Sequence, residues 1–427
     1  MKLNRKSKNG SPQSLPATAP QPAGIVAKRA LFFGNPILDL MKETGVEYIL
    51  QHNLNPDTEE FRFSKSEFPD IVQEIFTDFA NDSTVEKVAG GASQNSARVS
   101  SYMSRVFGEN MNVTFTGAVA KDDLAQCMRS SCADTDVSVM YQENDGCISG
   151  SCAALFYTET ADNLTRLGQT CKPSGRTLVT CLEAAGRFDD AKFDEAMLAD
   201  FDMFYTEGFF IPTSFATLLK AAKHAKATGK PFVVNLSSAF IVGGFVAQFM
   251  ELLPYATIIF GNEIEFPALW TAMIGAGNLT ERNGGWDHES FALYLGSQFG
   301  TPVALQERTV VISRGTDPAV VYDPSSKQVV QFPVFKLKDS SMFKDTNAAG
   351  DSYVGGFLSA VAVDLPLGDA MQRAALGGGI NVQMRGCSFP KNQTEFDRIV
   401  GNLDAPADFV AKAKYHEIGV VAPSSAA

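Results

Sequence analysis

The stretch KDTNAAGDSYVGGFLSAV, residues 344–361, places a run of small residues directly before an apolar segment with helical character. Ala348, Ala349 and Gly350 form the small-residue turn, and Asp351 follows it. The N-terminus of a helix offers unpaired backbone N–H groups and the positive end of the helix dipole. Small residues let the oxygens of an anion reach those N–H groups. The stretch therefore predicts a phosphate or oxyanion site, with Asp351 either as a helix cap or as a base beside the anion.

Strand-like and helix-like segments alternate along the rest of the chain. MNVTFTGAVA (111–120) and SGSCAALFYT (149–158) read as strands, and TSFATLLKAAKHAKATG reads as an amphipathic helix that ends at Gly229. PAVVYDPSSKQVVQFPVF predicts a hairpin around DPSSK. The alternation predicts an α/β fold with a largely parallel sheet. Residues around 40–70 and 141–160 fit this sheet less well, and we expect them to form a small lid.

Glycine and polar residues follow many of the apolar strand segments. They occur as GN at 34–35, TG at 116–117, EGF at 207–209, NLS at 235–237, GN at 261–262 and RG at 314–315. Ligands of open α/β sheets bind outside the carboxyl ends of the strands. These residues therefore predict a binding crevice at that edge of the sheet.

Composition excludes several classes of function. The chain has 427 residues, 45% of them hydrophobic, and a formal net charge of -12, which argues against nucleic-acid and anionic-membrane partners. The 4 histidines lack metal-ligand spacing, so a histidine-based zinc site is not expected. The 7 cysteines form no CxxC pair, and we expect reduced thiols. No GxxxxGK[ST] loop is present, which excludes a Walker-type nucleotide site.

The first 27 residues are basic at their start and then rich in Pro, Ser and Ala, which predicts a disordered tail. This segment lacks the apolar region of a secretory signal, although organelle targeting stays open as an alternative. We expect a cytoplasmic protein, with the nucleus as a second location.

Six motifs occur in a specific order: GNPILDL, GGASQNSARV, NLSSAFI, FGNEIEF, DTNAAGDSYVGGFL and RGCSFP. In this order they resemble the adenosine kinases, which belong to the ribokinase-like (PfkB) carbohydrate and nucleoside kinases. The resemblance covers roughly Ala30 to Pro390. It implies a three-layer α/β/α sandwich with a mostly parallel central sheet and a small α/β lid. The domains would be the tail 1–27, a kinase domain 28–400 and a C-terminal extension 401–427.

The resemblance also implies transfer of the ATP γ-phosphoryl group to the adenosine 5′-hydroxyl, with Mg²⁺ required and the chain acting as a monomer. Asp351 matches the catalytic base of the family, and the N–H groups of the small-residue turn match its anion hole. The residues expected to bind the acceptor are Asn35, Asp39, Gly90, Gly91, Ser93 and Asn95. Those expected to bind ATP and its phosphates are Asn262, Glu265, Gly315 and Asn347, with Asn262 and Glu265 also expected to order the magnesium. Phe209 and Phe210 either belong to the core or line an adenine pocket.

One position departs from the family pattern in a way that affects the site. Ala348 stands where the family usually has glycine, and alanine costs about 1 kcal/mol if the backbone needs a positive φ there. Two other functions stay open at this point. The chain could be a PfkB kinase for another nucleoside or a sugar, or an inactive relative that binds nucleosides, which Ala348 alone favours.

Overall fold

The structure is a computed structural model that describes residues 28–279, 287–299, 308–413 and 415. The predicted tail, residues 1–27, lies outside the described residues, as do residues 414 and 416–427 of the predicted extension. The strands are β1 (Arg29–Phe33), β2 (Ile37–Glu43), β3 (Glu59–Arg62), β4 (Glu86–Gly90), β5 (Asn112–Ala120), β6 (Val137–Asn144), β7 (Gly150–Thr158), β8 (Ser174–Cys181), β9 (Met203–Glu207), β10 (Phe232–Asn235), β11 (Ile258–Asn262), β12 (Thr309–Arg314), β13 (Asp317–Asp323) and β14 (Gln328–Phe332).

Helices connect most of these strands. They are α1 (Val46–Gln51), α2 (Asp70–Asn81), α3 (Ala92–Val106), α4 (Asp123–Ala133), α5 (Ala161–Arg166), α6 (Ile211–Thr228), α7 (Ala239–Gly244), α8 (Val246–Leu252), α9 (Glu265–Gly275), α10 (His288–Ser297), α11 (Ala349–Val361), α12 (Leu367–Asn381), α13 (Gln393–Gly401) and α14 (Ala407–Val410). In the described part of the chain, no helix is both long enough and apolar enough to span a bilayer.

The larger sheet has the strand order β14-β13-β12-β11-β10-β9-β1-β5-β6. Within this order, each neighbouring pair from β6 through β5, β1, β9, β10 and β11 to β12 is parallel. At the other edge, β13 pairs antiparallel with β12 and forms an antiparallel hairpin with β14. This arrangement confirms the predicted, mostly parallel sheet and the predicted hairpin around DPSSK. The central strands are apolar on both sides because helices cover both faces of a parallel sheet.

Alternate residues of β1 face two separate cores, and this defines the three layers. Leu31 and Phe33 pack into the core that contains residues of α6, α8, α9 and α10. Phe32 packs into the opposite core, with residues of α3, α11 and α12. The predicted α/β/α sandwich is confirmed by these two cores and by the sheet between them.

A second sheet, with the strand order β3-β8-β7-β2-β4, forms the smaller part of the molecule. Its apolar face packs on residues of α1, α2 and α4. The sheet extends further along the chain than the insertions expected at 40–70 and 141–160, because β4 and β8 both lie outside them. Residues 141–144 belong instead to β6, the edge strand of the larger sheet.

Helix α11 contains most of the stretch 344–361 quoted at the start of the sequence analysis, and it lies between α3 and α12. A Cβ atom at Gly356 would lie 2.2 Å from the carbonyl oxygen of Arg373 on α12, so only glycine allows this approach. A Cβ atom at Gly355 would likewise lie 2.6 Å from the Cβ of Val99 on α3, so α11 packs closely against both helices. Leu403 and Phe409, which follow residue 400, are buried in a core that they share with residues of α3, α12 and α13.

Candidate active site

A cleft of about 260 Å³ lies between the two sheets. Its lining residues come from the carboxyl ends of β1 and β9, the starts of α3 and α11, and the second sheet. The predicted crevice at the strand ends is therefore present, but it includes only part of the predicted set. The residues at 34–35, 207–209 and 235–237 contribute to the lining, whereas those at 116–117, 261–262 and 314–315 do not.

Asp351 lies in the first turn of α11 and lines the cleft. Its Oδ2 accepts a hydrogen bond of 2.9 Å from the side-chain amide of Asn95 on α3. Burial raises the pKa of Asp351 to about 7, while the Asn95 hydrogen bond opposes the increase. A carboxylate with a pKa near the working pH can accept a proton and release it again, which suits a general base.

The turn before Asp351 has the conformation that alanine accommodates poorly. Ala348 has φ 61° and ψ 8°, in the left-handed region. The N–H of Ala349 donates to the Thr346 carbonyl oxygen at 3.1 Å. No described residue accepts a hydrogen bond from the backbone N–H of Ala348 or Gly350. Two of the three predicted anion-hole donors are therefore available to a ligand, together with the positive end of the α11 dipole.

Asp39, on β2 of the second sheet, lines the cleft close to the start of α3. A Cβ atom at Gly90 would lie 2.3 Å from its Oδ1, and one at Gly91 would lie 2.3 Å from the backbone oxygen of Asn35. Both glycines are thus required by close approach, and Gly91 also has φ 87°. Burial and the charge of Asp351 raise the pKa of Asp39 to about 7.

Asn35 and Asn95 each present a side-chain oxygen that lacks a protein partner. The Nδ2 of Asn35 donates to the carbonyl oxygen of Phe209 at 2.9 Å, and the Nδ2 of Asn95 donates to Asp351. Both Oδ1 atoms are buried, and no described residue donates to either of them. Because unsatisfied buried acceptors cost free energy, these two oxygens are positions where a donor would be favourable.

Three phenylalanine rings form the apolar side of the cleft: Phe61, Phe209 and Phe240. Phe61 of β3 lies 6.5 Å from Phe209 and 6.0 Å from Phe240, centroid to centroid. Phe240 is 52% exposed, so the face of this cluster is open to a ligand. Phe210, by contrast, is fully buried in the core against Phe188 and is not part of the cleft.

Arg176 of β8 reaches from the second sheet to the segment just before α11, within the stretch 344–361. Its guanidinium donates to the Thr346 hydroxyl at 2.7 Å and lies 3.6 Å from Oδ1 of Asp345. Its Nε is buried and has no partner among the described residues. A cation from the smaller sheet is therefore held beside the predicted anion site.

Asn262 and Glu265 lie at the end of β11 and the start of α9, outside the lining of the cleft. They hydrogen-bond each other: the backbone N–H and the Nδ2 of Asn262 donate to Glu265 at 3.0 and 2.8 Å. The Oδ1 of Asn262 accepts from the N–H groups of Ile264 and Glu265. Burial raises the pKa of Glu265 to about 7, and the charges of Glu263 and Asp351 add to the increase.

This pair fits a magnesium ion that keeps most of its water. One buried carboxylate with a raised pKa would be stabilised by a nearby cation, and Mg²⁺ is commonly held through one or two carboxylates together with substrate phosphates. The described residues contain no cluster of three or more metal-ligating side chains. All seven cysteines lie in the described part of the chain, and none forms a disulfide.

The family model for pfkB carbohydrate kinases matches residues 67–395 of this chain. The adenosine kinase of Saccharomyces cerevisiae is 32% identical over 368 residues, which is 86% of this chain and 98% of that protein. The chain belongs to the PfkB family. Adenosine kinase 2 of Arabidopsis thaliana is 28% identical over 84% of this chain and 95% of its own length.

Solved structures give the same assignment to the PfkB fold. The crystal structure of Anopheles gambiae adenosine kinase, in complex with P1,P4-di(adenosine-5) tetraphosphate, superposes with a TM-score of 0.68. It is 25% identical, and the alignment covers 84% of this chain and 96% of that one. The chain is therefore an ATP-dependent kinase with the fold that its sequence motifs predicted.

The PfkB motifs place most predicted residues at or beside the cleft. Asn347 lines it, whereas Ser93 is fully buried beside Gly34 and is not among the lining residues. Gly315 follows β12 and lies outside the lining.

Sequence reasoning placed Glu207 in the crevice only as part of EGF at 207–209 and gave it no role of its own. It missed the cleft residues Phe61, Phe240 and Cys152 and the bridging Arg176. The signal that could have singled out Glu207 is a carboxylate at the end of the strand MFYTE, whose first three residues are bulky and apolar or aromatic.

Proposed function

We propose that this protein is an adenosine kinase, which transfers the γ-phosphoryl group of ATP to the 5′-hydroxyl of adenosine. The observation that carries the proposal is the position of Asp351. Asp351 lies at the start of α11, beside the backbone N–H groups of Ala348 and Gly350, to which no described residue offers an acceptor. It lines the cleft together with Asn35 and Asn95, whose buried side-chain oxygens have no donor among the described residues. The adenosine kinases of yeast and Arabidopsis, aligned over nearly their full length, support the choice of acceptor.

The acceptor side would hold the nucleoside by its sugar and its base. The carboxylate of Asp39 can accept hydrogen bonds from both hydroxyls of a cis-diol, and the Oδ1 of Asn35 can accept another. The rings of Phe61, Phe209 and Phe240 offer an aromatic surface on which a purine can stack. These contacts would direct the 5′-hydroxyl toward Asp351.

Asp351 would accept the proton of the 5′-hydroxyl as its oxygen attacks the γ-phosphorus. The bond between the γ-phosphorus and the departing ADP oxygen breaks, so AMP and ADP are formed. Little covalent work is required of the protein in phosphoryl transfer, and positioning and charge stabilisation dominate. The N–H groups of Ala348 and Gly350 would stabilise the equatorial oxygens, and Arg176 is close enough to the turn to add a positive charge.

Magnesium, when bound with ATP, would neutralise phosphate charge. Glu265 and Asn262 are the residues that would hold it, chiefly through its water ligands. We propose a monomer as the working unit, because one chain supplies the base, the backbone donors and the acceptor-binding side chains that the reaction needs.

The test is ADP release from MgATP with purified full-length protein, with adenosine, inosine, ribose and fructose supplied separately. We expect turnover with adenosine far above the other three. Turnover with a sugar alone would refute the acceptor assignment while keeping the fold and Asp351. Adenosine binding without ADP production would instead identify an inactive relative.

A further inference from the structure

Glu207 is a buried acid to which the proposed reaction gives no role. It is the last residue of β9 and is 1% exposed, although part of it lines the cleft. The rest of its strand is apolar apart from Thr206. Within the described residues, no lysine or arginine forms an ion pair with it. A buried carboxyl without a cation is costly unless hydrogen bonds compensate, so its contacts indicate its role.

The carboxyl group accepts hydrogen bonds from two different segments. Its Oε2 accepts from the backbone N–H of Ser93 at 3.0 Å, and its Oε1 accepts from the backbone N–H of Asn35 at 3.5 Å. Ser93 is the second residue of α3, and Asn35 lies in the turn between β1 and β2. One side chain therefore joins the end of β9 to the two segments that carry the acceptor-binding asparagines.

Gly34, Ser93 and Glu207 pack so closely that a displacement of one segment would move the others. A Cβ atom at Gly34 would lie 2.4 Å from the Cβ of Ser93 and 3.0 Å from the Oε1 of Glu207. Two residues after Ser93, Asn95 donates its hydrogen bond to Asp351. A shift of the α3 start would thus move Asn95 relative to the base, and misplacement of about 1 Å can cost a hundredfold in rate.

Given the proposed function, on which this inference rests, we propose that Glu207 is a positioning residue. It holds the β1–β2 turn and the start of α3 in the register that places Asn35 and Asn95 for the acceptor. The length of its side chain, which spans both N–H groups, is what the role requires. Its negative charge is not required, since burial and the charge of Asp351 raise the pKa of Glu207 to about 8 and keep it largely protonated near neutral pH.

Two substitutions separate length from charge. Glu207→Gln keeps the length and an oxygen that can accept the 3.0 Å bond from Ser93, and it loses only the longer 3.5 Å bond from Asn35, since an amide nitrogen cannot accept. With the stronger bond kept, kcat and both KM values should stay within about threefold of wild type. Glu207→Asp keeps the acid but is one methylene shorter and cannot span both donors. It should raise the adenosine KM and lower kcat by about tenfold each, and leave the MgATP KM within about twofold. Thr206→Val, a change of equal burial on the same strand, is the matched control.

The measurements are steady-state kinetics in both substrates, thermal unfolding and calorimetric adenosine binding for each full-length variant. An unchanged adenosine KM and kcat in Glu207→Asp would overturn the proposal. Changes in these constants as large in Glu207→Gln as in Glu207→Asp would also overturn it. A role limited to stability would lower the melting temperature in both variants without changing the kinetic constants, and this too would overturn it. Wild-type protein that turns over a sugar instead of adenosine would refute the proposed function alone, and the same variants would then be compared with that sugar.

Discussion

The two halves of the active site present different kinds of ligand group. The acceptor half offers side-chain oxygens that no described residue satisfies, on Asn35 and Asn95, beside the buried carboxylate of Asp39. The phosphate half offers backbone N–H groups and the pair Asn262 and Glu265, whose polar atoms already bond each other. The acceptor half should therefore depend on individual side chains, and the phosphate half on backbone geometry and on the cation that arrives with ATP.

The largest effect is expected where the two halves meet, at Asp351. Asp351→Asn keeps the shape of the side chain but removes the base, so kcat should fall by about a thousandfold. The KM values for adenosine and MgATP should change little, because the hydrogen-bonding groups on both sides remain. Steady-state kinetics with adenosine and MgATP measures both. A kcat within tenfold of wild type would contradict the role of Asp351 as a base.

The same substitution should stabilise the fold at alkaline pH. The pKa of Asp351 is raised from its usual 3.8 to about 7 in the folded protein. Between these two values the unfolded chain ionises while the folded chain stays protonated, so folding stability is lost as pH rises from about 4 to 7. Asp351→Asn removes that loss, and it should be a few kcal/mol more stable than wild type at pH 8 but similar near pH 4. Urea unfolding at the two pH values tests this, and an equal difference at both would contradict the burial argument.

In the acceptor half, Asp39→Ala should raise the adenosine KM by about thirtyfold, the cost of hydrogen bonds to a charged group. The MgATP KM is the internal control and should stay within about twofold. Asp39→Asn keeps one acceptor oxygen, so its adenosine KM should lie between those of wild type and Asp39→Ala. If adenosine lacking its ribose hydroxyls bound wild type as well as adenosine does, the assignment of Asp39 to the sugar would be wrong.

In the phosphate half, Glu265→Gln should weaken the apparent affinity for Mg²⁺ by about tenfold, because the carboxylate that would hold the hydrated cation is lost. The adenosine KM should not change, since Glu265 lies outside the cleft lining. Glu263→Gln removes a charge from an exposed neighbouring residue and is the matched control. Rates measured across a range of free Mg²⁺ separate the two variants. Equal effects from both would indicate a general charge effect in place of a specific contact.

The sequence was most informative where one segment supplies a complete structural element. The helix at Ala349–Val361, the glycine pair before α3 and the hairpin after β12 are each encoded locally, by small residues before an apolar run or by turn residues between two strands. Asp39 and Asn35 were found because motifs carry them. Their environment, including the raised pKa of Asp39, follows from packing that no local pattern contains.

The residues that were missed act across the boundary between the sheets. Arg176 contacts Thr346 at a separation of 170 residues, and Phe61 meets Phe209 from an edge strand of the smaller sheet. No spacing in the sequence reports such contacts, because they depend on how the two sheets are placed. Phe210 shows the converse, since its neighbour Phe209 faces the cleft while Phe210 packs into the core.

The smallest expected effect concerns Ala348, whose positive φ of 61° disfavours any residue with a Cβ. Ala348→Gly relieves a strain of about 1–2 kcal/mol but adds about 0.4–1 kcal/mol of chain entropy to the unfolded state. The two contributions oppose each other, and relief of the strain is the larger. The variant should therefore be more stable than wild type by about 0.5 kcal/mol at a pH where the rest of the site is unchanged.

The matched control is Ala216→Gly, at an exposed helical position of α6 in the first turn after the kink at Ser214. There glycine relieves no strain, so the same chemical change should destabilise the protein by about 1 kcal/mol. Opposite signs in urea unfolding would establish that the turn before Asp351 holds alanine in a strained conformation. A similar decrease in the free energy of unfolding for both variants would mean that the turn relaxes around alanine. The N–H groups of Ala348 and Gly350 would then lie in different positions from those in this structure.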